Sequence, residues 1–300
     1  MSVLEKVKEL RDVTGAGMQD CKNALKENDN NIEKSIEYLR KKGVLKAAKK
    51  SSRDAADGLI IVGEDEDSIV LTEINTETDF VAKNKEFINF CTQISEISTK
   101  ADSLEDLNNL TINGINIKEQ IVSLVSKIGE NIKLRRFKKI LKENNKVTFY
   151  IHNKASDTSG KIISAVRYSA NNKASVKLAS NICMHIAAMS PMALNESGLE
   201  TNFLNKEKKI IEEQIDKTGK KPEIIDKIIK GKLTKVISEN TLLNQKWVID
   251  QELTVEQAIK NFNNENSDSF IILDFHKFKV GEGIEIKKTD FSEEVKSLTK

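Results

Sequence analysis

Ser68-Ile69-Val70-Leu71-Thr72, followed closely by Asn75-Thr76-Glu77-Thr78-Asp79-Phe80-Val81-Ala82, are the stretches on which the fold turns. The first is apolar and β-branched, which suits a strand. The second sets a carboxylate and a large aromatic side by side where that strand ends. Adjacent residues of an extended chain point opposite ways. Asp79 and Phe80 can therefore stand at the strand's tip, where a helix begins. Two readings follow. Either Asp79 caps the next helix while Phe80 tucks into the core, or Phe80 stays exposed as a wedge for a partner's pocket. The pair taken alone favours cap and core.

Upstream, residues 1 to about 40 read as three short helices. Val3, Leu4, Val7 and Leu10 stripe the first. Gly15-Ala16-Gly17 breaks it. Met18, Cys21, Ala24 and Leu25 mark the second, and Ile32, Ile36 and Leu39 the third, after the polar turn Asn28-Asp29-Asn30-Asn31. The segment 40–53 is strongly basic but carries no aromatic. A solvated helical linker is the simpler reading, ahead of a nucleic-acid patch.

From Gly58 the periodicity changes. Leu59-Ile60-Ile61-Val62, an acidic turn and Ile69-Val70-Leu71 form a hairpin. Helices are expected over 84–97 and from Ile117 to Ile128, with Gly129 at the latter's C-terminal end. Ile132 to Ile140 reads as a strand. The order then recurs: a strand at Val147–Ile151, a polar loop from Asn153 to Gly160, a strand at Ile162–Val166, and a helix carrying Leu178, Ile182 and Ile186 that ends at Ser190-Pro191. Residues 203–238 read as a helical hairpin turning at Lys217–Lys221, with narrow apolar stripes that fit an antiparallel coiled-coil pair. Trp247-Val248-Ile249 is expected to return the chain to the sheet. Thr254 and Gln257 form a capping box, Phe270–Phe275 a last strand, and Phe291, Val295 and Leu298 a terminal helix.

The fold class expected is α+β. A three-helix module is followed by two related α+β subdomains with a projecting antiparallel helical hairpin. The domains expected are 1–52 with its basic linker, 53–140, 141–279 with the hairpin inserted at about 200–240, and 280–300.

Composition restricts function. The chain has 300 residues, 38% hydrophobic and 31% charged, and its 48 basic and 46 acidic residues leave a net charge of +2. That balance gives no global reason to bind nucleic acid, and 5% aromatics argues against base-stacking platforms. No apolar run approaches a bilayer span and no secretory signal is visible, so the expected location is the cytoplasm. Cys21, Cys91 and Cys183 are far apart and form no CxxC pair, and His152, His185 and His276 lack ligand spacing. There is no phosphate-cradling GxxxxGK[ST], and Gly281-Glu282-Gly283 lacks a third glycine. The acidic turn Glu64-Asp65-Glu66-Asp67 lacks the pattern of a calcium loop. No catalytic residue, resident metal or cofactor is expected. His185 lies in an apolar helix and reads as a core histidine; His152 follows a strand and reads as a turn residue.

Three further patterns accompany the Thr78-Asp79-Phe80-Val81 run. They are Leu10 to Leu25, containing Thr14-Gly15-Ala16-Gly17-Met18-Gln19-Asp20-Cys21; Lys127-Ile128-Gly129-Glu130-Asn131-Ile132 with Arg135-Arg136; and Val280-Gly281-Glu282-Gly283-Ile284-Glu285. In order and spacing, over nearly the whole chain, they resemble the translation elongation factor Ts family. The resemblance implies a UBA-like N-terminal module and a guanine-nucleotide exchange factor, without covalent chemistry, for the GTPase elongation factor Tu. Such a factor binds the GDP-bound and nucleotide-free GTPase as a hetero-oligomer, with no direct nucleic acid and no membrane. It implies that Phe80 is a wedge between helices, that Asp79 disturbs the magnesium shell of the GTPase, and that Thr78 and Val81 hold the segment in shape. Met18 would make an apolar docking contact, and His152 would approach the phosphate loop. The chain departs from the pattern at Gln19, where a second Met is frequent, at Thr76, where Cys is frequent, and in the longer loop after His152. Two other classes remain: a passive interaction scaffold, and an RNA-binding factor using segment 40–53.

Overall fold

A computed structural model describes residues 2–14, 16–215 and 222–285. It is mixed helix and sheet, the α+β class expected. The expected turn at 217–221, the terminal helix with Phe291, Val295 and Leu298, and Gly15 lie outside the described residues. The chain divides into two compact units. One comprises residues 1–140, 153–162 and 278–300, the other 141–152 and 163–277.

The first unit opens with α1 (Val3–Thr14), α2 (Met18–Glu27) and α3 (Ile32–Lys50). Val7, Leu10, Cys21, Ala24, Leu25 and Leu39 make a small core of their own, as the apolar spacing predicts. Segment 40–53 is helical to Lys50, as expected of the solvated helical linker, but one of its faces is packed. It continues α3, and α3 packs along α7 (Ile117–Ile128), with Gly43 buried where an added Cβ would lie 3.7 Å from Ser126 Cβ. The basic side chains mask this face, because small residues such as Gly43 and Ala47 make the contact.

β1 (Asp57–Glu64) and β2 (Ser68–Thr76) form the expected hairpin in register Ile60↔Glu73 and Ile61↔Thr72. One turn, α4 (Asp79–Ala82), leads into α5 (Lys85–Ile97), capped by the Asn84 side chain on Glu86 N. No periodicity in the sequence signals α6 (Leu104–Asn109) or the two-residue strands β3 (Thr111–Ile112) and β4 (Ile115–Asn116). α5 and α7 bury Phe87, Phe90, Ile94, Ile117 and Val125 beneath β1 and β2. After α7 comes β5 (Lys133–Leu141), which joins the sheet beside β2.

The loop expected over 153–160 is instead strand. β6 (Lys146–Ser156) and β7 (Ser159–Ser169) run on to a turn at Asp157–Thr158. Asn153 takes a left-handed φ of 51°, kinking β6 immediately after His152. The tip of β7 pairs with β1 through Ile60↔Gly160 and Ile61↔Ser159. Val62 N donates to Thr158 O at 2.8 Å. This pairing orders a segment whose polar composition reads as a loop.

In the second unit α8 (Ser175–Met189) packs with β7 and α11 (Val255–Asn266) around Tyr168, Ile182, Trp247 and Phe270. The helical hairpin is present as α9 (Thr201–Ile215) and α10 (Pro222–Asn240), packed on each other. Trp247-Val248-Ile249 forms no strand. Trp247 is buried in a loop, stacked on His185 at 5.3 Å between ring centroids. The Thr254–Gln257 capping box is formed, and β8 (Ile271–Lys279) pairs with β7.

Candidate functional site

β2 is buried throughout and delivers the chain to Glu77 with little freedom. Thr78 then occupies the position before α4 in extended geometry, and its hydroxyl makes no bond to that helix. Val81 and Ala82 turn inward and are buried, whereas Phe80 is 81% exposed. One turn thus separates its apolar residues: the small ones anchor and the large one faces solvent. Asp79, also on the turn, hydrogen-bonds Lys83 Nζ at 2.6 Å, and that ammonium holds its carboxyl below the usual carboxylate range. Thr78, Asp79, Phe80 and Val81 therefore share one element. Of the two readings of Phe80, the structure places the ring outside the core.

Residues to which the sequence assigned no role hold this turn. Glu130 accepts from Thr78 N at 3.0 Å and from Thr78 Oγ1 at 2.6 Å. Asn131 N donates to Glu77 Oε1 at 2.6 Å, and its side chain donates to Ser51 O and Arg53 O. Gly129 closes α7 with a φ of 93° and accepts from Lys50 Nζ; a left-handed residue here suits glycine. The run Lys127–Ile132, legible in the sequence only as a pattern, is thus the floor beneath the turn. The signal was present in its polar residues after a helix-ending glycine, but their targets lie about fifty positions away in sequence.

The terminal run Val280–Glu285 is likewise tied to the sheet of the first unit. Glu73, fully buried on β2, is bonded by Arg135 at 2.9 Å, by Arg136, by Asn75 Nδ2 at 2.9 Å and by Gly281 N at 2.8 Å. Burial alone would raise its pKa; the Gly281 amide, the Asn75 amide and the Arg136 guanidinium outweigh it and hold Glu73 low. Gly281 has a φ of 72°, and a Cβ there would sit 2.2 Å from Ala56 O. Only glycine suits that approach.

Met18 begins α2 and is 56% exposed. His152, in the second unit, is exposed with its Nδ1 3.2 Å from the Tyr150 hydroxyl. His185 is buried as expected of a core histidine. Its Nε2 meets Gln245 Oε1 at 2.9 Å and its Nδ1 accepts from Val248 N at 3.3 Å, and burial lowers its pKa. The cysteines are buried; burial raises the thiols of Cys91 and Cys183. Among the described residues no group of His, Cys, Asp and Glu could hold a metal ion, and no helix is long and apolar enough to cross a membrane. In the basic segment, Lys42 and Lys46 bind Asp20, Arg53 pairs with Glu77 and Arg40 with Glu119.

A family model described as Elongation factor TS matches residues 77–282, from the Glu77 that binds Asn131 to the Glu282 that binds Arg136. Fold and match together define the class, that of translation elongation factors. Relatives called elongation factor Ts align along almost their whole length. The one from a Nitratiruptor species is 42% identical over 98% of both chains. That from a Ruegeria species is 40% identical over 96% of both, and that from Rickettsia bellii is 37% identical over 98% of this chain and 96% of its own. The chain belongs to the elongation factor Ts family.

Proposed function

We propose that this chain is a guanine-nucleotide exchange factor that binds elongation factor Tu·GDP, loosens its magnesium and GDP, and lets GTP enter. The single observation that carries the reading is the exposed Phe80 on a turn anchored by Val81 and Ala82, in a chain of this family. An aromatic held outside its own core offers a large area to a pocket, and such anchors dominate interface energetics. Asp79, next to it, brings a carboxylate to the partner's magnesium site. To act there it must exchange its bond to Lys83 for the ion's surroundings. Thr78 and Val81 hold the turn. Loss of magnesium leaves nucleotide phosphate charge held by the partner alone. The coupling is reciprocal, so returning nucleotide weakens the complex.

Met18 would dock the N-terminal helices, a UBA-like module on this reading, through its exposed thioether. His152, beside Tyr150, would make a second polar approach. The factor does no covalent chemistry, needs no cofactor or metal of its own, and works in the cytoplasm as a hetero-oligomer with the GTPase. The RNA-binding alternative is weakened because Lys42, Lys46, Arg40 and Arg53 are engaged within the chain. The test is stopped-flow release of fluorescent GDP from elongation factor Tu. Strong acceleration by this chain supports the reading. Binding without acceleration supports a passive scaffold, and salt-steep binding to RNA supports the third class.

A further inference from the structure

We infer that Glu130 is the positioning residue of the Asp79–Phe80 turn, acting through Thr78 to aim the aromatic before any partner arrives. The inference rests on the reading of Phe80 as the partner-facing residue. α4 is a single turn of four residues, and one turn does not hold itself, since helix nucleation is unfavourable. Phe80 cannot set its own direction by packing because it is 81% exposed. Its aim therefore follows from the backbone of the turn, which the buried Val81 and Ala82 anchor on one side and Thr78 on the other. There the amide and the hydroxyl both end on Glu130, at 3.0 and 2.6 Å, while Thr78 O accepts from Thr76 Oγ1 at 2.9 Å. Two bonds from one carboxylate to one residue fix a direction as well as a distance.

Glu130 is itself held on both sides. Gly129 before it ends α7 in a left-handed turn and is bonded by Lys50, and Asn131 after it is bonded to Glu77, Ser51 and Arg53. A carboxylate in such a frame is a fixed point, and a binding element ordered in advance spends less of its interaction on ordering. Without Glu130, Thr78 keeps its neighbours but loses the bonds that orient it, and Phe80 samples directions that miss the pocket.

The full chain is tested with three substitutions. Glu130→Ala removes both acceptors. Glu130→Asp keeps the charge but is one methylene short. Glu130→Gln keeps the reach: its carbonyl accepts from Thr78 N–H and its amide donates to the hydroxyl. Two readouts are taken, the GDP-release rate at saturating exchange factor and amide hydrogen exchange of segment 78–83 in the free chain. We expect Ala and Asp to lower the saturating rate about tenfold and to speed exchange in the segment, while Gln stays within about threefold of the parent in both. A structural role alone would lower the melting temperature and would not separate Asp from Gln. If Ala unfolds the chain, Asp against Gln decides. Parental rates and exchange in Asp overturn the inference. If the parent chain itself fails to accelerate GDP release, the proposed function falls; the hydrogen-exchange comparison still decides whether Glu130 orders the turn.

Discussion

Phe80 and Val81 are neighbours with opposite fates, 81% and 7% exposed, and the difference decides what each substitution does. Removing a buried aromatic costs about 3–5 kcal/mol of stability, but Phe80 has little burial to lose. Phe80→Ala should therefore leave the melting temperature within about 1 °C of the parent. The loss should appear in function: truncating an interface anchor commonly costs about 2 kcal/mol or more, about 30-fold. Melting curves and GDP-release rates measured on the same preparation separate the cases, and a strongly lowered midpoint would mean that Phe80 packs at home. At this scale the sequence went far. It singled out the Asp-Phe pair and offered both fates. The pair alone favoured cap and core and only the family resemblance pointed to the wedge, because exposure depends on which way a single turn is rotated, and the contacts that set this, Glu130 among them, lie far along the chain.

Elements explain where periodicity worked and where it failed. The β1–β2 hairpin was legible because Ile60, Ile61, Val70 and Leu71 are apolar and bounded by an acidic turn, and α11 because its capping box is local. The β6–β7 tip was not: its order comes from pairing with β1 rather than from its own Asn, Lys and Ser side chains. Trp247 misled in the other direction, since it reaches the second unit's core from a loop, stacked on His185, and not from a strand. That contact supplies a pH test. His185 has a lowered pKa through burial, and its Nδ1 accepts from Val248 N. The unfolded chain thus takes up a proton near pH 6.5 that the folded chain resists. Stability should be unaffected above that pH and fall as the pH drops below it. Thermal midpoints between pH 7.5 and 5.5 should decline in the parent and decline less in His185→Gln; parallel slopes would refute the assignment. Glu73 gives a second test. Its removal in Glu73→Ala takes a buried carboxylate from Arg135 and Arg136, which are 23% and 26% exposed and keep their bonds to Glu282 and to Lys279 O, and releases Gly281 N. Breaking a buried pair from one side costs about 3–5 kcal/mol, and the partial exposure of the arginines favours the lower end. Denaturant unfolding should read a loss of about 3 kcal/mol. A loss below about 1 kcal/mol would mean that the chain end is not tied through this carboxylate.

For the whole chain the question is whether the N-terminal helices are an appendage or a support. α3 belongs to two cores at once. Leu39 sits in the N-terminal cluster and Ala47 packs against the larger one beneath β1 and β2. Its end reaches Gly129 through Lys50, and the residues after it, Ser51 and Arg53, receive Asn131. We therefore propose that residues 1–52 both dock the partner and brace the floor under the Asp79–Phe80 turn. Deleting 1–52 should leave a cooperative unfolding transition, because the buried members of the cluster around Phe87, Phe90 and Ile94 all lie outside the deleted segment and only Ala47 packs on them from within it. The transition should move down by about 4–6 °C, the equivalent of about 2–3 kcal/mol for a chain of this size, as the face of α7 beside Gly43 is uncovered and the Asn131 amide loses Ser51 O and keeps Arg53 O. GDP release should slow through two routes: weaker docking, which a higher concentration of exchange factor offsets, and a looser turn, which it does not. A deletion that stops at residue 31 removes α1 and α2 but keeps α3, and should affect the first route more than the second. Scanning calorimetry together with GDP-release rates at limiting and saturating exchange factor distinguishes them. An unchanged melting profile and a parental saturating rate in the 1–52 deletion would show the N-terminal helices to be a docking appendage alone.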